Sequence, residues 1–529
     1  MKGRRVATTY AEATVPGAAG RRARASVRER LVSPMPDDRL RGWLMSLLVT
    51  LIAAGMRLNR LSKPPSEVFD EVYYRKDSHD LWRWAVERNA EGKGPGYIVH
   101  PPLGKWMIGW SQRALDWDNQ RVYVKALKGE HAAFSWRLGA AVLGVLTVLV
   151  VCRLGRRLFR STPLGCFAGL LMALDGLHFV QSRAVMLDIA ILFWTVVAAA
   201  CLLADRDDLR RRLADRLEAA TDGLEPSYPG PRTGVRWWRI ATGISIGLAC
   251  GVKWSGAYLI PVFVLVSFGW EIGARRVAGI PSPVRAAFRR SAVPMVATLM
   301  ILPVIAYLGT WAGWFITMDG WRRDCGRPGP WSGMKHPKMC GPVAGLWQYH
   351  AEALKFHNGL SSPHAYQSHT WGWLLLARPV SYFYNGATPG FSRHVLAIGT
   401  PAIWWGSIFA LGATFWRWIS TRDWRAAFIL AGFAATYLPW FWSDMNERTM
   451  FLFYALPALP FMCLALTYCA GLAVGSRTAS SERRFWGAAI SGVYLLIVLA
   501  NFYFMYPVLS GKIIPYGDWK LRMWFSSWV

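Results

Sequence analysis

The chain has 529 residues, 53% of them apolar and 30 of them tryptophan, with a formal net charge of +29. A water-soluble protein of this length would divide into several domains, whereas here the apolar residues gather into long runs that call for a lipid solvent. The basic residues concentrate in the N-terminal tail and in short segments between apolar runs, which suits an anionic leaflet surface and argues against a nucleic-acid groove.

Residues 1–41 are rich in Arg, Ala, Gly and Ser and hold no apolar run. They read as a disordered basic cytoplasmic tail and not as a secretory signal. Runs able to cross a bilayer follow at Trp43–Met56, Leu138–Cys152, Pro163–Val180, Ala184–Ala204, Ile240–Val252, Ala257–Trp270 and Ala292–Ile316. After a second long polar segment come Leu396–Phe415, Ala426–Trp442, Met450–Leu472 and Phe485–Met505. The expectation is an all-α polytopic protein of about eleven spans. Residues 42–316 form one transmembrane module whose first external loop is 57–131. Residues 317–395 form a second external loop, and 396–529 a C-terminal four-helix module ending outside.

Orientation follows from the basic connections. With the N-terminus inside, Arg153, Arg156, Arg157 and Arg160 fall inside, as does the mixed-charge segment Asp205–Arg239. Arg275, Arg276, Arg285, Arg289 and Arg290 also fall there, then Arg417, Arg422 and Arg425, then Arg477, Arg483 and Arg484. The C-terminus is therefore expected outside, in a multi-pass protein of the plasma membrane. In the second loop, Val343–Leu360 is expected to be an interfacial helix, with Trp371, Trp373, Tyr382 and Tyr384 as interface anchors. Of 8 cysteines, six lie in apolar runs. Cys325 and Cys340 share a Gly/Pro-rich polar loop, where an oxidising compartment would join them; a zinc pair is the weaker option.

Phe69-Asp70-Glu71-Val72-Tyr73-Tyr74 lies shortly after the first span, close to the membrane surface. A bare Asp-Glu pair is what any solvated surface offers, but neighbouring residues add weight. Neighbouring side chains point different ways, so one carboxylate suits a general base and the other an ion-pair anchor. His100-Pro101-Pro102-Leu103-Gly104-Lys105 follows in the same loop, its prolines stiffening the chain before a cation at lipid-phosphate depth. Arg57 and Arg137 stand at the ends of spans, where an arginine is either functional or snorkelling to the interface. Asp175 and Asp188 need partners, for which Arg183 is a candidate. Arg183, Lys253, Arg448 and Lys105 gather cations at the external leaflet, as a lipid phosphate requires.

These motifs occur in one order: Phe-Asp-Glu-Val-x-Tyr, His-Pro-Pro-x-x-Lys, Leu-Asp-(x)5-Gln-Ser-Arg-(x)3-Leu-Asp, Lys-Trp-x-Gly, Tyr349-His350-(x)6-His357, Pro363-His-x-Tyr-x-Ser368 and Arg378-Pro379. Together they resemble the protein O-mannosyltransferases, in particular bacterial members of actinobacterial type, from about Arg57 to the last span. The resemblance implies a GT-C glycosyltransferase fold, with polyprenyl-phosphate mannose as donor and Ser or Thr of secreted or membrane proteins as acceptor. The secretion translocon becomes a candidate partner. It further implies Asp70 as general base, with Glu71, Arg57 and Arg137 as essential companions, Glu71 paired to an arginine. His100, Lys105, Arg137, Arg183, Asp188, Lys253 and Arg448 are the candidate donor-site residues. No Asp-x-Asp tripeptide is present to hold a nucleotide sugar through a metal. No cofactor is expected, with a divalent ion at Asp70 and Asp188 left open. Two other readings are a GT-C transferase that modifies a glycan or lipid, and a transporter; the latter would place charges at mid-span and break its helices there.

Overall fold

The computed structural model describes residues 26–89, 96, 99–115, 130–220, 227–321, 323, 341–476 and 478–529. Cys325 and Cys340 lie outside the described residues, so their pairing is an expectation still; the six described cysteines are free thiols.

The apolar runs fall largely on helices. A short α1 (Val27–Leu31) precedes α2 (Arg39–Leu58); α3 (Glu71–Trp84) and α4 (Leu103–Leu115) belong to the first polar loop. Then come α5 (Glu130–Phe159), α6 (Thr162–Ala173), α7 (Gly176–Gln181), α8 (Leu187–Ala220), α9 (Trp237–Val252) and α10 (Leu259–Val277). α11 (Pro283–Val296) runs through a π turn into α12 (Leu302–Gly309), followed by α13 (Ala312–Ile316), α14 (Pro342–Asn358) and α15 (Thr370–Trp373). The last part holds α16 (Pro401–Thr421), α17 (Trp424–Tyr437), α18 (Pro439–Met445), α19 (Leu459–Val474), α20 (Ser481–Ser510) and α21 (Tyr516–Lys520).

Among the described residues, eight helical stretches are long and apolar enough to cross a membrane. The stretch of α8 from Ile189 to Ala204 is apolar on all sides and enclosed by other helices, whereas α11, α12 and α20 turn residues such as Val293, Ile305, Ile490 and Leu496 outward. Exposed apolar side chains along whole helices identify a lipid-facing surface, and the protein is a multi-pass membrane protein. The third expected span is broken. Asp175 interrupts it after α6, and its carboxylate accepts the His178 backbone N–H (2.9 Å) to start α7. That carboxylate also accepts from Thr400 N (3.1 Å) and Trp404 Nε1 (2.8 Å) at the head of α16. Asp175 is thus satisfied by backbone and indole groups, and not by Arg183 as the sequence suggests.

One small sheet interrupts the helices: β1 (Val380–Asn385), β2 (Phe391–Ala397) and β3 (Ile513–Pro515), antiparallel in that order. The sequence reading has residues 380–395 as loop and starts a span at Leu396; β2 instead runs to Ala397 and α16 begins at Pro401. Trp373 and Tyr382, expected as interface anchors, are buried, while Trp371 and Tyr384 are exposed. Trp373 packs on Tyr437 and Trp440, and Tyr382 on Phe69.

Candidate active site

Asp70 stands at the N-terminus of α3 without spending its side chain on a cap hydrogen bond. The residue before it, Phe69, has φ 47°, a left-handed conformation that costs a β-carbon-bearing residue about 1 kcal/mol or more. Aromatic packing holds it there. The Phe69 ring stacks on Tyr382 at 4.9 Å and meets Phe451 and Phe453 edge-on. Tyr382 is fixed in turn by Gln181 Nε2, which donates to its hydroxyl (2.7 Å).

The other anchors converge on the same loop. Arg137 donates from Nε and Nη2 to the Glu71 carboxylate (2.9 and 2.8 Å) and from its remaining N–H groups to the carbonyls of Leu61, Pro64 and Ser66. Glu71 also accepts from Val68 N and Val185 N. This buried fork joins the loop after α2, the start of α3 and the loop before α8. Arg183 donates to the carbonyls of Arg57, Asn59 and Arg60. Arg57 donates to Ser182 Oγ, Ala173 O and His178 Nδ1. The Gln181-Ser182-Arg183 motif therefore clamps the chain that presents Asp70.

A cavity of about 580 Å³ opens near Asp70, which is not one of its walls but feels the charges of two wall residues, Lys253 and Asp188. Among its walls are His100, Asp188, Lys253, His357, Arg448 and Tyr454. Lys253 Nζ lies 2.8 Å from both Asp188 carboxylate oxygens, so this cation is already balanced. Arg448 is different. Its Nη2 donates to His357 Nδ1 (3.2 Å), its Nε is buried without a hydrogen-bond partner, and no carboxylate pairs with it among the described residues. Burial holds His357 down at about 4, so the ring is neutral; Nε2–H donates to Val99 O (2.8 Å), which leaves Nδ1 free to accept from Arg448. Tyr454 lies under both cations, 5.3 Å from Lys253 Nζ and 5.8 Å from the Arg448 guanidinium carbon.

The sequence-derived residues thus divide. Asp188, Lys253, His100 and Arg448 line the cavity, whereas Arg57, Lys105, Arg137 and Arg183 do not. Lys105 in particular is bound by Asp77 and Glu87, at 2.8 Å each, and packs α4 under α3. Burial pushes the Glu87 carboxyl up to about 8 against the pull of Lys105. Burial also works against the charge on Lys105, and Glu87 with Asp77 outweighs it, holding the ammonium above its ordinary value. Gly104 lets the other side of α4 approach α8 and α9, since a β-carbon there would strike Leu187 and Val252 at their ends. Sequence reasoning missed the aromatic cradle of Phe69, the base of Tyr454 and the tether from His357; the first two carry no motif beyond aromaticity.

Burial pushes the Asp70 carboxyl up to about 6, with Lys253 opposing and Asp188 adding to the rise. A general base must be ionised, so activity is expected to fall as pH drops through about 6, two units above an ordinary aspartate. Asp188→Asn removes a neighbouring negative charge and should move this limb of kcat/KM to lower pH. A limb that stays in place would mean that another group titrates. A divalent ion does not fit here. Lys253 occupies both Asp188 oxygens, and among the described residues no cluster of three or more His, Cys, Asp or Glu could hold one.

A multi-pass helical scaffold with a half-buried carboxylate near a cationic cavity at one end is the architecture of a membrane glycosyltransferase of GT-C fold. The yeast protein O-mannosyltransferase Pmt1-Pmt2 complex bound to the sugar donor has this fold: TM-score 0.70 at 15% identity, covering 95% of this chain and 94% of the other. The family profile "Dolichyl-phosphate-mannose-protein mannosyltransferase" matches residues 47–312, and "C-terminal four TMM region of protein-O-mannosyltransferase" matches residues 342–528. The polyprenol-phosphate-mannose–protein mannosyltransferase of Mycolicibacterium smegmatis (strain MKD8) is 35% identical over 520 residues, 94% of this chain and 96% of that protein. Its namesake in Mycobacterium tuberculosis (strain H37Rv) is 34% identical over 510 residues, 93% of each chain. The chain belongs to the protein mannosyltransferase family, as its ordered motifs imply, and is a mannosyltransferase.

Proposed function

We propose that this enzyme transfers mannose from polyprenyl-phosphate mannose to Ser or Thr hydroxyls of polypeptides on the extracytoplasmic side, with inversion. Arg448 carries the reading: an arginine without a carboxylate partner among the described residues, in a cavity near a carboxylate that burial raises to about 6. The Asp70 carboxylate takes the acceptor hydroxyl proton. The hydroxyl oxygen bonds to the anomeric carbon as the bond from that carbon to the phosphate oxygen breaks, and the polyprenyl phosphate leaves with the electron pair. The phosphate gains negative charge during this step, so a fixed cation beside it stabilises the transition state more than the bound donor.

The membrane arrangement belongs to the same proposal: eleven spans, the additional three on α6, α9 and α16, with the N-terminus cytoplasmic and the C-terminus outside. Acceptor chains would arrive from the secretion translocon. The assay is mannosyl transfer in membranes supplied with polyprenyl-phosphate mannose and a Ser/Thr-rich peptide. Sugar appearing only on lipid or glycan would assign the enzyme to the other GT-C reading.

Arg448→Ala is expected to lower kcat/KM for the donor by about 10²–10³-fold, the range for losing one donor to a developing oxyanion. Arg448→Lys should restore part of it. His357→Ala should lower kcat while leaving the pH limb of Asp70 near 6, because His357 acts by aiming Arg448. Unchanged kinetics in Arg448→Ala would remove it as the phosphate ligand.

A further inference from the structure

A second cationic cavity lies at the far end of the same helices. Asp188 and Arg206 both belong to α8, and at about 1.5 Å per residue they stand ~27 Å apart, close to the thickness of a hydrocarbon core. The cavity measures about 330 Å³, roughly ten times the volume of one water in the liquid. Its walls include Arg157 from α5, Arg160 just past its end, Arg206 and Arg210 from α8, and the segment 31–35 before α2.

The charges do not cancel. Asp207 alone serves Arg157 (3.5 Å), Arg160 (2.7 Å) and Arg206 (3.3 Å). Arg210 donates to the Leu31 carbonyl, and the neighbouring Asp208 is shared by Arg211 and Arg212. Arg206 is the informative member. It is only 7% exposed, its guanidinium lies 3.4 Å from the centre of the Trp424 ring, and its Nε has no hydrogen-bond partner. A buried N–H left unpaired in a cation-rich cavity asks for an acceptor. Arg236, by contrast, pairs with both Asp205 and Glu271, while Arg239, Arg275 and Arg417 at this end also keep a buried Nε without a hydrogen-bond partner but line no part of this cavity.

We propose that this cavity binds a phosphate group, carried by an anionic phospholipid of the leaflet opposite the reaction. Planar guanidinium groups match phosphate oxygens in pairs, which lysines do not. The lipid is favoured over free phosphate by position: the half-exposed Trp238 lines the rim, and an indole of that kind sits at headgroup depth. The inference goes beyond the reading of the Asp70 site and does not rest on it.

The test uses the full-length protein in neutral detergent with phosphatidylglycerol or phosphatidylcholine added in equal excess, and native mass spectrometry to count bound lipid. The wild type should retain phosphatidylglycerol preferentially, and an Arg160→Gln, Arg206→Gln double variant should lose that preference by about tenfold or more. Asp207→Asn removes one of the cavity's two acidic wall residues, the other being Asp208, and should raise retention; it keeps the proposal testable should the double variant unfold. Displacement by millimolar inorganic phosphate would uphold the site and assign it to soluble phosphate. Equal retention by the wild type and the double variant overturns it, as does lower retention in Asp207→Asn.

Discussion

Asp70→Asn is expected to lower mannosyl transfer by about 10²–10⁴-fold, the usual contribution of a positioned general base, with the protein still folded in the membrane. The amide is nearly the same shape and cannot accept the acceptor's proton. The fold should tolerate the change because the Asp70 carboxylate makes no cap bond to α3. The sign of its pKa shift sharpens the expectation. The folded-state value of about 6 is above the ordinary one, so folding disfavours the ionised form, and at pH 7 the ionised Asp70 lowers stability. A neutral amide relieves that penalty. The thermal midpoint of Asp70→Asn should therefore be no lower than that of the wild type, while activity is lost. Full activity would remove Asp70 as the base, and a large drop in midpoint would make it a structural residue.

Much of this arrangement was legible in the sequence, and the reasons for the remainder are physical. Lipid imposes a length and an apolar composition on any spanning segment, so each apolar run marks a helix. That Glu71 pairs with an arginine followed from the family resemblance, but that the arginine is Arg137 and not Arg57 is visible only in the structure. Lys105 was misread. It follows two prolines at a plausible phosphate depth, but its partners Asp77 and Glu87 look like ordinary solvated acids until α3 and α4 pack together. Arg183 was misread for a related reason: its partners are backbone carbonyls, which no sequence pattern displays. The pairing of β3 with β2 joins segments more than a hundred residues apart, and β3 is too short to show alternation. Phe69 is the clearest case of local preference overridden. A bulky residue is a poor occupant of a left-handed position, and only the surrounding rings explain it.

Arg137 separates two ways in which a cation can matter in this enzyme. It lines no part of the cavity proposed for the donor, and its N–H groups are taken by Glu71 and three carbonyls of the loop between α2 and α3. Arg137→Ala leaves a buried carboxylate held only by the N–H groups of Val68 and Val185. Breaking a buried pair from one side costs about 3–5 kcal/mol, enough to show as a lower thermal midpoint. The loop carrying Asp70 would then lose its register, and displacement of a reacting group by ~1 Å costs about 10²-fold in rate. Arg137→Lys keeps the charge beside Glu71 but cannot form the fork and reach all three carbonyls, so it should fall between alanine and wild type in both stability and kcat. In neither variant should the KM for the lipid donor change much. A raised donor KM with an unchanged midpoint would instead put Arg137 on the phosphate, and the division of labour between it and Arg448 would have to be redrawn.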